Sequence, residues 1–345
     1  DWVKTFLHSD IEFKPGTHFQ YNSAATYMLS AILQSVTGER LVDYLDKRLF
    51  QPLKIQKPDW DRSPEGINTG GWGLRITTED IAKLGQLYLQ KGIWEGERIL
   101  SEAWVQEATS KQTSNGSHPD NDWDQGYGYQ FWRCRNNCYR GDGAFGQFCI
   151  VIPEHDAVVA VTSGTNDMGG VMQVVWDTLL PAMASESLEA DPAATRALAL
   201  KLDALSLPVV QDEPRSSLSG KLAQRTFQVF ENEAGVRSIS FDLHGDDHRI
   251  TVEMDHGRQS LRLGQGSHIS SELSHHLPYT ENMRRSIGAS GAWVKPDEYQ
   301  AKIYFTQSPA SIIYTFRFEN NRMTWTSELR HSLLGPKNLA ILRGE

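Results

Sequence analysis

The spacing of apolar residues changes along this 345-residue chain. Up to about residue 184, apolar residues recur mostly at helical intervals, with a few short strand patterns among them. From residue 220 onward, apolar and polar residues alternate with the period of a strand, and turn residues divide the region into about eight segments. We therefore expect an α+β domain over 1–184, followed by an all-β antiparallel barrel or sandwich over 220–345.

The region between the two predicted domains is mostly polar. Residues 185–192, SESLEADP, have the composition of a linker. Asp191 and Pro192 suit the N-cap and first turn of a short helix. A second polar stretch, VVQDEPRSSLSG, follows that helix. We predict a linker with a short helix over 185–219.

The clearest helical pattern is Phe19–Val36, which reads FQYNSAATYMLSAILQSV. Apolar residues surround this helix from Ala24 onward, so it should be buried on most faces. Ser23 can serve as its N-cap. Tyr21, Asn22 and Ser23 therefore lie together before a buried helix, where their side chains can face a cleft. The simpler interpretation is that Tyr21 only packs and caps.

A glycine-rich segment, GDGAFGQ at residues 141–147, lies within a predicted antiparallel meander. It fits the pattern G-x-G-x-x-G, but a dinucleotide site needs a helix after these glycines. The segment that follows, FCIVIP, has the pattern of a strand, so nucleotide binding is disfavoured. A tight or bulged β-edge that tolerates glycine is the structural alternative.

Together these segments resemble the serine β-lactamase and penicillin-binding-protein superfamily, in its class C β-lactamase and esterase branch. Tyr21, Asn22 and Ser23 match the second motif, Tyr-x-Asn, with Ser23 at the usual place of Asn. The resemblance covers about residues 1–184 and implies a partial catalytic domain with an antiparallel sheet and helices. It also implies that Tyr21 is a general acid and base, and that Ser23 or Asn22 orients the substrate.

The resemblance assigns the third motif, Lys/His-x-Gly, to the glycine-rich segment. Gly141 then occupies the place of Lys or His, and the Ala144 N–H becomes an oxyanion-hole donor. Arg140 should point to the opposite face of its strand. Gly70–Leu74 matches the edge of the acyl pocket, with Trp72 at an aromatic position; a Trp there would otherwise be a core or loop anchor. The implied substrate-binding residues are Trp72, Gly141, Asp142, Gly143, Gly146 and Gln147.

The superfamily's nucleophile lies in Ser-x-x-Lys, and no serine of this chain is followed by Lys at the third position. The resemblance therefore implies a further N-terminal segment, preceding Asp1, that carries the nucleophile. We expect the given chain alone to be inactive. The all-β region loosely resembles the lipocalin-like appendages of some of these hydrolases, which implies a structural or substrate-limiting role.

Composition narrows the choice of partners and cofactors. A net charge of −9 and a pI near 5.7 argue against nucleic acid as a partner. No apolar run is long enough to span a membrane. The resemblance implies no metal or organic cofactor. His244 and His248 straddle a turn and make a poor metal pair. Cys134 and Cys138 flank another turn and could form a disulfide, although two reduced thiols are favoured.

Three hypotheses for function follow. The first is a serine hydrolase that forms an acyl-enzyme with a small ester or amide substrate. The second is a non-catalytic relative that binds or senses a small molecule. The third is a β-barrel ligand carrier, which a deep apolar pocket in the barrel would support. The compartment stays open, with the cytoplasm favoured over the periplasm or secretion, and so does the oligomeric state.

Overall fold

The computed structural model describes residues 1–211, 216–223, 225–245, 247–278, 280, 284–331 and 342–345. These residues divide into two compact units, Asp1–Leu188 and Glu189–Glu345. Across the described residues, every helix is too short or too polar to cross a lipid bilayer. The same residues contain no group of three or more metal-binding side chains suited to an ion.

The first unit contains six α-helices and eight short strands, which form three sheets, among its described residues. The helices are α1 (Trp2–Leu7), α2 (Ser23–Thr37), α3 (Leu41–Leu45), α4 (Thr78–Leu89), α5 (Glu102–Thr109) and α6 (Met168–Val174). Single π-helical turns continue α3 over Asp46–Phe50 and α6 over Val175–Leu179, and 3₁₀ turns span Pro153–His155 and Leu180–Ala182.

Its strands form two small hairpins and one larger sheet. The strands are β1 (Asp59–Trp60), β2 (Leu74–Arg75), β3 (Ile93–Trp94), β4 (Glu97–Arg98), β5 (Trp132–Arg133), β6 (Tyr139–Gly143), β7 (Gln147–Ile152) and β8 (Ala157–Val161). β1 pairs with β2 and β3 with β4, while β5–β6–β7–β8 form an antiparallel sheet in that order. The α+β prediction for this part of the chain is confirmed.

Helices cover both faces of the four-stranded sheet. On one face α4 approaches closely, because a Cβ on Gly85 would lie only 2.6 Å from a methyl group of Val158. On the other face, Phe148, Ile150 and Ile152 pack in one buried cluster with α6 and the turn that follows it. The sheet is therefore fixed from both sides, and the end of β6 is held in place with it.

Helix α2 differs from its prediction in two respects. Its N-cap is Asn22, whose Oδ1 accepts from the Ala25 N–H at 3.0 Å, so the expectation that Ser23 caps is wrong. The helix is also less buried than predicted, since Leu29, Ile32 and Val36 are 56%, 54% and 80% exposed. Only the stripe that faces its neighbours in this unit is covered, and an apolar sequence alone does not say which stripe that is.

The second unit begins with α7 (Pro192–Asp203) and α8 (Ser219–Leu222), followed by ten strands in one sheet among the described residues. The strands are β9 (Thr226–Gln228), β10 (Val236–Asp242), β11 (Asp247–Met254), β12 (Gly257–Gly264), β13 (Ile269–Glu272), β14 (Ser286–Lys295), β15 (Glu298–Phe305), β16 (Ser311–Glu319), β17 (Arg322–Arg330) and β18 (Leu342–Gly344). All neighbours pair antiparallel except β12 and β14, which are parallel where Gly264 meets Ser290. This pair departs from the all-antiparallel prediction because β13 inserts between the two strands in sequence.

The sheet curls into a nearly closed barrel. The backbone N–H of Gln228, at the end of β9, donates to the Glu345 carbonyl at 2.9 Å, and the Phe230 N–H donates to Arg343 at 3.0 Å. These bonds join the first and last strands of the sheet. The predicted barrel is confirmed at this level, and its lipocalin-like character stays a prediction.

Aromatic side chains fill the barrel interior. Trp325 is fully buried and contacts Tyr314 edge-on, with ring centroids 4.9 Å apart. Phe241 contacts Phe316 and Phe318 in the same way, at 5.1 and 5.2 Å. The ligand-carrier hypothesis, which requires a deep apolar pocket, stays a prediction.

Part of the segment predicted as a linker is attached to the barrel. The Pro208 carbonyl accepts from Lys302 Nζ and from the Tyr304 hydroxyl, each at 3.2 Å. The Val210 N–H donates to Ser290 Oγ at 3.3 Å. The preceding helix α7 is exposed along its whole length. The residues that bond this segment to the barrel therefore follow α7, and residues near 208–210 belong to the second unit.

Candidate functional site

Of the three side chains at the start of α2, one caps the helix and two are exposed. Asn22 takes an extended conformation and uses its side-chain oxygen to cap the helix. Ser23 is the first helical residue, and it is exposed. Tyr21 is 56% exposed, although it lies beside buried aromatic residues. Of the two substrate-orienting candidates, Asn22 is thus already engaged by the helix end.

The glycine-rich turn ahead of β2 lies against the first turn of α2. A Cβ on Gly71 would lie 3.2 Å from the Ser23 carbonyl oxygen, and one on Gly70 would lie 2.9 Å from that of Thr26. Glycine is therefore required for this close approach. The contact brings the neighbouring Trp72 to the start of α2.

Trp72 is held through its backbone, while its ring stays partly open. Its carbonyl accepts from Trp60 Nε1 at 2.9 Å and from the Thr69 hydroxyl. The ring is 41% exposed and stacks on Trp2, with centroids 6.0 Å apart. Trp72 is therefore both a loop anchor and an exposed aromatic surface next to Ser23.

Tyr21 rests on an aromatic layer that connects it to β6. Its ring stacks on Trp132 at 5.6 Å, with 27° between the ring planes. Trp132 in turn meets Tyr127 edge-on at 5.0 Å and pairs across the sheet with Arg140. Phe19 completes the layer by contacting Tyr127 at 4.9 Å. The layer fixes the Tyr21 ring while leaving more than half of its surface open.

Electrostatics around the two phenols favour their protonated forms. Burial, and then the negative charge of Asp142, raise the pKa of Tyr21. Burial raises the pKa of Tyr127 to about 12, with Tyr21 and Asp142 adding to it. A phenol with a raised pKa stays protonated at neutral pH, so it can donate a hydrogen bond but is a weaker proton donor. To accept a proton, Tyr21 would need a cation close to it.

Asp142 belongs to a buried ion pair. Its Oδ2 accepts from Arg140 Nε at 3.0 Å and lies 2.9 Å from Arg140 Nη2, and the Arg140 side chain is fully buried. Burial raises the pKa of Asp142, although hydrogen bonds from Arg140 and Trp123 oppose this. The two charged side chains share one face of β6, since they are two residues apart.

Gly141 faces the other side of β6, as predicted. A Cβ there would meet only Cys149 Cβ, at an ordinary 3.7 Å. The pairing of β6 with β7 runs without a bulge from Tyr139 to Gly143. Arg140 therefore does not take the place of the Lys or His that the third motif would carry at Gly141, and this side of the strand has room.

The hairpin after β6 is held by its own side chains. Gly146 has a φ of +83°, and a Cβ on it would lie 2.3 Å from Ser163 Oγ. Gln147 Nε2 donates to the Ser163 carbonyl at 2.5 Å and to that of Ala144 at 3.3 Å. Ala144 lies exposed at the turn. Gln147 was predicted to bind substrate, but its amide is engaged in shaping the turn.

Sequence reasoning missed the layer beneath Tyr21. Tyr127 and Trp132 lie in the run YGYQFW, which was interpreted only as a strand. The density of aromatic residues in that run was the available signal. The hairpin cysteines Cys134 and Cys138 are free and buried, which agrees with the favoured alternative of two reduced thiols.

Comparisons with known proteins agree with this architecture. Residues 1–182 match the family model described as Beta-lactamase, which is more than half of the chain. The chain belongs to the beta-lactamase family. The 6-aminohexanoate-dimer hydrolase of Paenarthrobacter ureafaciens is 29% identical over 163 residues, covering 43% of this chain and 40% of that protein. The chain thus spans well under half the length of this curated relative.

Two solved structures are similar to part of the chain. A putative 6-aminohexanoate-dimer hydrolase from Bacillus anthracis has a TM-score of 0.45 at 20% identity, covering 53% of this chain and 50% of that one. A putative beta-lactamase from Bacteroides dorei has a TM-score of 0.42 at 16% identity, covering 52% and 63%. The predicted membership of the β-lactamase and penicillin-binding-protein-like superfamily is confirmed by the family match.

Proposed function

We propose that this beta-lactamase-family chain is part of a serine hydrolase that acts on small amides or esters through an acyl-enzyme. The observation that carries the proposal is the setting of Tyr21. Its phenol is exposed, its ring is fixed on Trp132, and it lies within the field of Asp142 on β6. This setting keeps the hydroxyl accessible in a defined position, as a general acid or base requires.

The proposed chemistry requires a serine and a lysine from a Ser-x-x-Lys segment outside the given sequence. The serine oxygen attacks the substrate carbonyl carbon, and its proton passes to the Tyr21 phenolate that the lysine ammonium stabilises. Tyr21 then returns that proton to the leaving amine or alcohol as the carbon–heteroatom bond breaks. Water releases the acyl group by the reverse proton route. The Ala144 N–H would be one donor to the oxyanion.

The remaining site residues have supporting roles in this proposal. Ser23 orients the substrate, because Asn22 is engaged in capping α2. Trp72 offers an aromatic wall beside Ser23. The β6 edge and its turn stay open to the substrate because three positions there have no side chain, namely Gly141, Gly143 and Gly146. Gln147 supports the Ala144 turn, and Asp142 acts through its charge.

The substrate class follows from the relative and from Gly141. The relative's name specifies a dimer of 6-aminohexanoate, and we propose a small amide or ester of comparable simplicity for this chain. Position 141 is glycine, so the site lacks the Lys or His donor that would bind a carboxylate. This favours substrates without a carboxylate beside the reactive bond. We further propose domain limits of 1–184 and 220–345, with the all-β domain in a structural or substrate-limiting role.

The test compares the given chain with the longer product of the same gene. The longer protein should hydrolyse a nitrophenyl ester and be labelled at one serine by a fluorophosphonate. The given chain should do neither, because it has no Ser-x-x-Lys. Steady hydrolysis by the given chain that Tyr21→Phe abolishes would contradict the proposed nucleophile. A gene without an upstream Ser-x-x-Lys would favour the non-catalytic binding module instead.

A further inference from the structure

The buried charges on β6 lie beneath the aromatic layer that carries Tyr21. We infer that Arg140 is a positioning residue for Tyr21, acting on it through Trp132, which supports the ring, and through Asp142, whose charge reaches the phenol. The inference rests on the proposed role of Tyr21 as the acid and base. It assigns a function to an arginine that the family motifs do not include.

Arg140 is held by two hydrogen bonds, an ion pair and two aromatic rings. Its Nη1 donates to the Asp122 carbonyl at 3.0 Å and contacts Cys134 Sγ at 3.1 Å, while Nε and Nη2 reach Asp142. Its guanidinium lies over the rings of Trp123, at 4.7 Å, and Trp132, at 5.7 Å. Such an enclosed guanidinium has one geometry only. It therefore fixes the indole on which Tyr21 stacks.

The charged and titratable groups that reach the Tyr21 phenol come from two elements. Asp142 lies on β6 and acts on Tyr21, and Tyr21 acts in turn on Tyr127, which lies on the segment before β5. Arg140, also on β6, is paired with Asp142. Arg140 is the counter-ion of Asp142, so its positive charge opposes the effect of that carboxylate on the phenol. Removing one partner leaves the other uncompensated. The two single changes should therefore act on Tyr21 in opposite directions, which a purely structural role would not produce.

The experiment follows the titration of Tyr21 by NMR in the given chain labelled with ¹³Cζ-tyrosine, using Tyr21→Phe to assign its signal. Asp142→Asn leaves the Arg140 cation uncompensated and should lower the titration midpoint of Tyr21. Arg140→Met leaves the Asp142 carboxylate uncompensated, and it is ionised at the alkaline pH where phenols titrate. The midpoint should then rise.

Arg135→Met is the matched control. Arg135 forms a neighbouring ion pair at 3.0 Å, but its partner is Asp122 and not the Asp142 carboxylate that acts on Tyr21. Its loss should leave the midpoint of Tyr21 at the wild-type value. If Asp142→Asn does not lower the midpoint, or if Arg135→Met moves it as far as the β6 variants do, the inference is wrong.

A double variant covers the case in which Arg140→Met does not fold. Arg140→Met with Asp142→Leu replaces the pair by apolar side chains, which proteins often tolerate. Its midpoint should lie above that of Asp142→Asn, and an equal midpoint would overturn the inference.

The longer protein separates this inference from the proposed function. The acid limb of its kcat/KM profile should move to lower pH in Asp142→Asn. If Tyr21→Phe left activity intact, the proposed function would fail, whereas the opposed titration shifts could still be observed. If the titration midpoint of Tyr21 stayed the same in the β6 variants while Tyr21→Phe was inactive, the inferred role of Arg140 would be wrong. The proposed function would then stand.

Discussion

The two units of this chain bury their side chains in different ways. In the second unit, a nearly closed sheet surrounds an aromatic core, and Trp325, Tyr299 and Ile303 are completely buried. In the first unit, α2 exposes Leu29 and Ile32, and a charged pair occupies the interior beside the site. A closed sheet has few unsatisfied edges, whereas the sheet β5–β8 ends at β8 with an unpaired edge among the described strands.

The two units therefore differ in how their residues relate to stability and to the proposed chemistry. The barrel has a core that its own strands complete, in line with the structural role proposed for it above. The first unit carries buried charge, strained turns and exposed aromatic residues in one neighbourhood, a combination that is costly unless it serves chemistry. Four changes test this contrast, taken from the largest expected effect to the smallest.

Tyr21→Phe in the longer protein should lower kcat by about 10²–10⁴-fold, the range of a positioned acid or base. The change removes one hydroxyl and keeps the stacking on Trp132, so the fold should not suffer. The loss in kcat is measured by steady-state hydrolysis of a nitrophenyl ester. Tyr129→Phe is the control, because that phenol donates to Glu107 at 2.8 Å on the surface, and its loss should leave the rate near wild type. A loss of only a few-fold at Tyr21 would mean that the residue merely packs.

Trp325→Ala should destabilise the barrel by about 3–5 kcal/mol, because it leaves a large cavity among buried aromatic rings. Hydrogen exchange of the barrel amides in the given chain measures the free energy of unfolding. Phe230→Ala, at a side chain that is 54% exposed, should cost less than about 0.5 kcal/mol. Equal loss of protection in residues 1–188 would show that the two units do not unfold separately.

Gly141→Lys in the longer protein should narrow a preference for neutral esters over penicillins. We expect the wild type to prefer neutral substrates by about 10- to 100-fold in kcat/KM, since it lacks one charge-assisted hydrogen bond to the carboxylate. The site has room for the change, because an added Cβ would make only an ordinary contact. Gly141→Ala, which adds no charge, should keep the preference. Penicillin hydrolysis by the wild type as efficient as ester hydrolysis would contradict the argument.

Asp43→Asn should have the smallest effect, about 1 kcal/mol or less, because the ion pair lies near the surface. Hydrogen bonds from Arg40 and Lys57 lower the pKa of Asp43 to about 2. A lowered folded-state pKa stabilises the fold above the unfolded value near 4, and this contribution is lost as pH falls towards 2. The free energy of unfolding, measured with denaturant, should therefore differ between Asp43→Asn and wild type at pH 7, and this difference should largely disappear at pH 2. Asp10→Asn, at an exposed carboxylate, is the control.

Several features could be predicted because they depend on local chemistry. The change from helical to two-residue period separated the helix-rich region from the barrel. The alternation of a strand placed Arg140 opposite Gly141. Each of these rests on a period or a backbone conformation that neighbouring residues impose directly.

Other features were decided by contacts between residues distant in the chain. The choice of Asn22 over Ser23 as the cap depends on the turn by which the chain enters α2, and both residue types can cap. The aromatic layer of Tyr127 and Trp132 exists only because β5 and α2 meet across a long interval of sequence. The raised pKa of Tyr21 likewise comes from burial and from Asp142, far along the chain. Sequence alone thus determined the family and the candidate groups, whereas tertiary contacts decided their partners, because burial and electrostatic fields are properties of the assembled structure.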